Sequence, residues 1–255
     1  MSPPPQAARP AAPPQAAKRA APPPATGRPA ASLAGPSPPA PSSQEAALAA
    51  EDEGYYHESA LNAAWTGSRL AIGGLAFLFG SFVFAYFYLR SLDSEARWQG
   101  SGYRHPSLWM GTTIMLLALL SAGTHYYVLQ RIKAGHKQTW QIGGLIALAL
   151  GLAAVALQVY MLLNLPFKPG SSGYSSLFAG FYPVFLVIQL AALIWLEMLL
   201  ARSRYIPALS FVEQPPTYTE TYLVQRFQAS LSAFSTIWNF LALMALLFWL
   251  LFYAL

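Results

Sequence analysis

Five long apolar runs constrain the fold of this chain more than any other feature. In chain order they cover residues 70–89, 108–129, 142–165, 177–201 and 234–255. As an α-helix rising about 1.5 Å per residue, each run is long enough to cross a hydrocarbon layer of about 30 Å. Because unpaired backbone polar groups are costly in lipid, such runs have to be helical. The sequence therefore predicts an all-α transmembrane bundle of five helices.

A segment rich in Pro and Ala precedes the first run, beginning PPPQAARPAAPPQAAKRAAPPPATGRPA at residue 3. Proline disfavours both helix and sheet, and alanine buries little area, so ordering this segment would cost more entropy than packing returns. The segment also lacks the apolar core of a secretory signal peptide. We expect a disordered Pro/Ala-rich N-terminal tail over residues 1–55 and a five-helix transmembrane domain over residues 56–255.

Composition agrees with a membrane environment. Hydrophobic residues make up 55% of the chain and charged residues 10%, whereas soluble domains carry about 25% charged residues. The net charge of +5 is typical of basic flanks that anchor helices at a membrane surface, and we expect no nucleic-acid partner. The chain has no cysteine, which excludes disulfides, iron–sulfur clusters and thiolate metal sites.

The basic residues predict the orientation. With five spans, the tail shares one side of the membrane with the second and fourth loops. That side carries Arg69, Arg131, Lys133, Lys137, Arg202, Arg204 and Arg226. The other side carries Arg90, Arg97, Arg104 and Lys168. Because positive residues accumulate in cytoplasmic loops, the N-terminus is predicted to be cytoplasmic and the C-terminus to lie outside.

Ionisable residues within the runs would be the signal of catalysis or proton transfer. The first, third and fifth runs contain none between their ends. Glu197 either pairs with Arg202 and Arg204 at the membrane surface or takes part in a proton pathway. His125, at the end of the second run, is expected to be an interfacial hydrogen-bonded residue rather than a haem or copper ligand, since such sites need further ligands.

Uncharged polar and small residues within the runs indicate helix packing. Gln158 and Asn239 lie in the middle of their runs, as residues that hydrogen-bond between helices do. The first run contains Gly73, Gly74 and Gly80, and the third contains Gly143, Gly144 and Gly151. These glycines indicate either close approach of helices or only the general enrichment of glycine in membrane helices. None of these residues predicts an active site.

Several runs carry features of a known family. The first reads LAFLFGSFVFAYFYLR and ends at Arg90, and the second reads HPSLWMGTTIMLLALLSAGTHYYV from residue 105. The third keeps Gln158 and the fifth keeps Trp238. The entry to the fourth carries Tyr174, Ser176, Phe178, Gly180 and Phe181. With these features, residues 62–255 resemble subunit III of haem–copper terminal oxidases (cytochrome c oxidases), in its five-helix form.

The resemblance implies a non-catalytic subunit of a respiratory complex. Such a subunit has no catalytic, metal or cofactor-binding residues of its own, and the haem and copper belong to partner subunits. It packs against the catalytic oxidase subunit and other subunits, binds membrane lipids, and lies in the bacterial inner (plasma) membrane. On this basis five residues are expected to contact a subunit or lipid: Arg90, Trp109, His125, Gln158 and Trp238.

The chain departs from the family at positions that usually carry ionisable groups. These positions fall on or near Leu75, Met161, Tyr182, Phe185, Asn239 and Ala242. Packing needs only shape, so the resemblance implies the family's fold more strongly than its polar interior.

Two alternative functions stay open from the sequence. Subunit III-like proteins also accompany nitric oxide reductases, and the neutral positions would suit a partner that pumps no protons. A small transporter is the third possibility. It would require inverted repeats and polar groups at the membrane midplane, and five largely apolar spans do not provide them.

Overall fold

The computed structural model describes residues 43–92, 98, 106–210 and 218–255. Within these residues all regular structure is helical, which confirms the predicted all-α class. A 3₁₀ turn at Pro207–Leu209 precedes the last long helix, and a π-helical turn at Leu250–Ala254 ends it. The five long helices are α1 (Ser43–Ser91), α2 (Leu108–Lys133), α3 (Lys137–Leu163), α4 (Gly173–Arg204) and α5 (Tyr218–Trp249).

Five helical segments are long and apolar enough to span a membrane, four of them within α1 to α4 and the fifth in α5 and the π-helical turn that follows it. These segments are Gly54–Ser91, Leu108–Lys133, Lys137–Leu163, Gly173–Arg204 and Thr221–Ala254. The predicted number of spans is therefore confirmed. The chain is a multi-pass membrane protein.

The first helix begins earlier than the sequence predicted. It has 49 residues and is about 73 Å long at about 1.5 Å per residue, so its N-terminal part extends past a hydrocarbon layer of about 30 Å. The expectation of a disordered tail up to residue 55 is wrong for residues 43–55, which are helical. No proline follows Pro41 there, and the segment is rich in the strong helix formers Ala and Glu. The remainder of the predicted tail lies outside the described residues.

Two other boundaries differ from the predicted runs. Helix α3 ends at Leu163, because the Asn164 side chain donates a 2.8 Å hydrogen bond to the Tyr160 carbonyl and Pro166 disfavours helix just beyond. Helix α5 begins at residue 218, well before the apolar run at 234. Its first turns are amphipathic, and because polar residues alternate with apolar ones there, this part of the helix does not read as an apolar run. Their buried residues are Val224, Phe227 and Leu231.

Short turns set neighbouring helices antiparallel. Between α2 and α3, Gly135 adopts φ = 84°, a left-handed conformation that glycine accepts without steric cost. At the start of α4, Ser172 and Ser175 form a reciprocal capping box.

The helices form a closed bundle. Helix α5 packs against α1 and α2, α3 lies between α2 and α4, and α4 also contacts α1 and α5. We call the side with the start of α1 and the α2–α3 turn the tail side, and the opposite side the far side.

Aromatic residues fill the core on the far side. The rings of Phe181 on α4 and Phe248 on α5 stack with their centroids 3.6 Å apart, and Phe79 on α1 packs edge-on against both. The hydroxyl of Tyr174 donates a 2.9 Å hydrogen bond to the carbonyl of Phe252, which ties the start of α4 to the end of α5.

The glycines of α1 and α3 occupy opposite environments. A Cβ at Gly143 would overlap Val128 Cγ1, and Cβ atoms at Gly144 and Gly151 would lie 2.5 Å from the side chains of Leu200 and Leu193. Helix α3 thus depends on glycine for close approach to α2 and α4. The α1 glycines at 73, 74 and 80 would place a Cβ with no atom within 4 Å. The interpretation as close helix packing therefore holds inside the bundle only for α3.

Candidate functional site

The five residues predicted to contact a subunit or lipid fall into two groups. Arg90 and Trp109 lie on the surface of the far side, where Trp109 is 81% exposed. Arg90 Nη1 donates a 3.1 Å hydrogen bond to the hydroxyl of buried Tyr86, one turn earlier. Contact with a subunit or lipid stays a prediction for these two residues.

The other three predicted residues, His125, Gln158 and Trp238, lie inside the bundle and are 2% exposed or less. In this structure they therefore contact neighbouring helices and are not on the surface. A direct contact with lipid or a second subunit was expected for these three residues, but the chain's own helices enclose them.

Trp238 belongs to a hydrogen-bonded link between three helices. Its indole Nε1 on α5 donates to Ser121 Oγ on α2 at 3.3 Å, and Ser121 Oγ donates to the Ala147 carbonyl on α3 at 2.6 Å. All three residues are buried. Ser121 thus joins α2 to both neighbours near the middle of the bundle.

Gln158 pairs with a residue that the sequence reasoning did not select. Its Nε2 donates a 2.7 Å hydrogen bond to Oε1 of Gln189 on α4, and both side chains are buried. This confirms the predicted interhelical role of Gln158. Gln189 carries the same signal, a glutamine in the middle of an apolar run, and could have been identified by it. Asn239, by contrast, donates among the described residues only to Ser235 Oγ of its own helix, at 3.5 Å.

His125 is buried among aromatic rings inside the bundle. Its ring meets Phe234 edge-on with centroids 4.9 Å apart and Trp140 with centroids 5.5 Å apart. Neither ring nitrogen has a hydrogen-bond partner in the described part of the chain, and neither does the Trp140 indole nitrogen. The predicted hydrogen bond is therefore not found among the described residues, and the interfacial depth of His125 stays a prediction. The cause is the packing of α2, α3 and α5 around this ring, which the sequence does not reveal.

Glu197 does not form the predicted ion pair with Arg202 and Arg204. Its side chain is exposed on α4, and no salt bridge joins any of the residues that the structure describes. The spacings of five and seven residues place these groups apart on the helix surface, where three or four residues would bring them together. No three His, Asp or Glu side chains among the described residues approach closely enough to hold a metal ion.

The largest unpartnered apolar surface belongs to α1. Only 11% of its most apolar segment is buried, against 33–44% for the other four spans. Among its many exposed residues, six lie at alternating steps of three and four residues, which is the spacing of a helix-packing seam. We call this surface the α1 outer face and define it by Leu70, Gly73, Phe77, Gly80, Phe84 and Phe87.

Large and small side chains alternate on the α1 outer face from Leu70 to Phe84. Phe77 is 83% exposed and Phe84 is 70% exposed, while a Cβ added at Gly73 or Gly80 would meet no atom of the chain. The projecting rings and the glycine hollows have the shape that lets a second transmembrane helix approach closely. The six residues of this surface are apolar and carry no group that performs chemistry.

The sequence matches no protein-family model, and no curated protein is significantly similar to it. Fold and surface together define a five-span membrane protein whose most exposed helix has the form of a packing surface.

Proposed function

We propose that this chain is a non-catalytic membrane subunit of a respiratory haem–copper terminal oxidase. In this role it packs against the catalytic subunit, binds lipid around its exposed helices and stabilises the complex. The haem and copper that perform the chemistry reside in the partner subunits. The kind of complex is inferred from the resemblance of the five runs to subunit III of haem–copper terminal oxidases.

The observation that carries the proposal is the α1 outer face. A helix that only faces lipid has no need for alternating Phe and Gly at seam spacing, because fluid acyl chains adapt to any apolar shape. A rigid partner helix requires such alternating projections and hollows, since association in lipid depends on close van der Waals packing. The exposed Trp109 and Arg90 lie on the far side, where the end of this face also lies.

The proposed location is the bacterial plasma membrane with the tail side in the cytoplasm. Among the described residues, seven basic side chains lie towards the tail side: Arg69, Arg131, Lys133, Lys137, Arg202, Arg204 and Arg226. Arg90 and Lys168 lie towards the far side. This asymmetry agrees with the positive-inside rule.

A pulldown of the tagged chain in mild detergent tests the proposal, with haem absorbance and mass spectrometry of the co-purified proteins. Haem–copper oxidase subunits and oxygen consumption in the eluate are the expected result. Nitric oxide reductase subunits would keep the interaction role but change the complex. A haem-free, solitary chain would overturn the proposal.

A further inference from the structure

The amide of Gln158 is only partly satisfied. A glutamine side chain offers two N–H donors and one carbonyl acceptor. The Nε2 of Gln158 donates to Gln189, but its Oε1 has no hydrogen-bond partner among the described residues. The residue is 0% exposed, so neither bulk water nor lipid headgroups reach this oxygen. An acceptor buried in this way usually has a partner, very often an ordered water.

A small cavity adjoins this amide on the far-side half of the bundle. The space open to the centre of a water molecule is about 10 Å³, close to the minimum that one water needs. The walls come from α2, α3, α4 and α5, and Gln158 and Tyr182 contribute polar side chains to them. The other lining residues are Gly111, Ile114, Met115, Phe181, Phe185, Ala245, Phe248 and Trp249.

Tyr182 links the cavity to the end of the chain. It is buried, and its side chain hydrogen-bonds to Tyr253 in the π-helical turn after α5. The Tyr253 ring in turn lies directly against Gly111, where an added Cβ would overlap it. The hydroxyl of Tyr253 donates to the Met161 sulfur at 3.5 Å, one turn after Gln158 on α3. Gln158 of α3 and Tyr182 of α4 therefore both line this cavity, and Tyr253 is the neighbour of Tyr182 outside it.

We propose that the cavity binds one structural water molecule, which donates a hydrogen bond to Gln158 Oε1 and a second to the Tyr182 hydroxyl. The water completes a buried network that runs from Gln189 and Gln158 to Tyr182 and Tyr253. Through it, the middle of α3 and α4 is coupled to the C-terminal turn of α5. The site is independent of the α1 outer face and of the proposed oxidase partner.

A map of the full chain at a resolution that shows ordered water gives the direct test. The expected result is a density peak about 2.6–3.2 Å from Gln158 Oε1. A well-defined Gln158 side chain with no peak in the cavity would overturn the proposal.

A double-mutant cycle tests the same site by energetics. Gln158→Met and Tyr182→Phe, singly and together, are compared by SDS titration of the folded chain in mixed micelles. If both residues bond the same water, the effect of the double variant on the unfolding equilibrium constant should differ from the product of the two single effects by about threefold or more. The matched control pairs Gln158→Met with Tyr160→Phe, whose ring is exposed on the same helix and is absent from the cavity walls. Strict additivity in the test pair would contradict the bridging water.

Discussion

The indole nitrogen of Trp238 on α5 lies 3.3 Å from the hydroxyl oxygen of Ser121 on α2 and donates a hydrogen bond to it. Ser121 in turn donates to the carbonyl of Ala147 on α3 at 2.6 Å. One small hydroxyl thus serves two partners at the point where three helices meet. Because both contacts are buried, removal of the hydroxyl leaves a donor without a partner.

We therefore expect Ser121→Ala to destabilise the bundle by about 1–2 kcal/mol, since it breaks both hydrogen bonds and leaves the Trp238 N–H unsatisfied. SDS titration of the purified chain measures the change. Ser81→Ala is the matched control, because the exposed Ser81 hydroxyl bonds only to the Leu78 carbonyl of its own helix. Equal effects at the two positions would contradict the importance of the three-helix link.

His125 predicts an unusual response to substitution. Its two nitrogens have no hydrogen-bond partner in the described chain, and its ring is held by edge contacts to Trp140 and Phe234. His125→Phe keeps an aromatic ring and removes unsatisfied polar atoms, so its stability should equal or exceed that of the parent chain. His125→Ala leaves a cavity and should cost about 2–4 kcal/mol.

The same SDS titration compares these variants, with His136→Phe in the exposed α2–α3 turn as a control that should change little. If His125→Phe destabilises the chain as much as His125→Ala does, a ring nitrogen must have a partner, such as a bound water.

Glycine substitutions should change the stability of the chain differently in α3 and in α1, the two glycine-rich helices. Gly143→Ala places a methyl group against Val128, a buried β-branched side chain that has little rotamer freedom to move aside. A cost of about 1–3 kcal/mol is expected from overpacking. Gly80→Ala on α1 meets open space and should be neutral or slightly stabilising, because Ala favours helix. Unfolding of the isolated chain checks both, and equal destabilisation would mean that Gly80 is packed inside the monomer.

The α1 outer face predicts a variant that folds but loses its partner. Gly80→Leu fills one hollow of the face, and its Cβ has no atom of the rest of the chain within 4 Å. We expect unchanged unfolding of the isolated protein and at least a tenfold lower yield of partner subunits in the pulldown. Gly123→Leu is the matched control, since Gly123 is an exposed glycine of α2 with equally open space at its Cβ. Loss of partners in both variants would point to a general effect of added bulk.

The orientation can be tested because the chain has no cysteine of its own. Ala134→Cys lies in the exposed turn between α2 and α3, and Lys168→Cys lies in the exposed connection between α3 and α4. A maleimide that cannot cross membranes should label Lys168→Cys in intact spheroplasts and Ala134→Cys only after permeabilisation. The reverse pattern would invert the proposed orientation.

The sequence by itself determined the class of fold and the number of spans. Backbone N–H and C=O groups in lipid must be hydrogen-bonded within their own segment, so each of the five apolar runs forms a helix. The interhelical hydrogen bond of Gln158 was also predictable, because an amide in an apolar span needs a partner on a neighbouring helix. Helix ends were less well predicted. The amphipathic start of α5 and the Ala- and Glu-rich start of α1 lie outside the apolar runs, and hydropathy does not mark them.

Only the tertiary structure decided which faces are inside. The glycines at 80 and 143 give the same sequence signal, yet one faces outward and the other holds two helices in contact. His125 could equally have faced the interface or the core. In water, burial can be inferred from hydropathy because the exterior is polar. In a membrane both the exterior and the interior are apolar, so shape and packing, which depend on distant residues, decide what each helix turns inward.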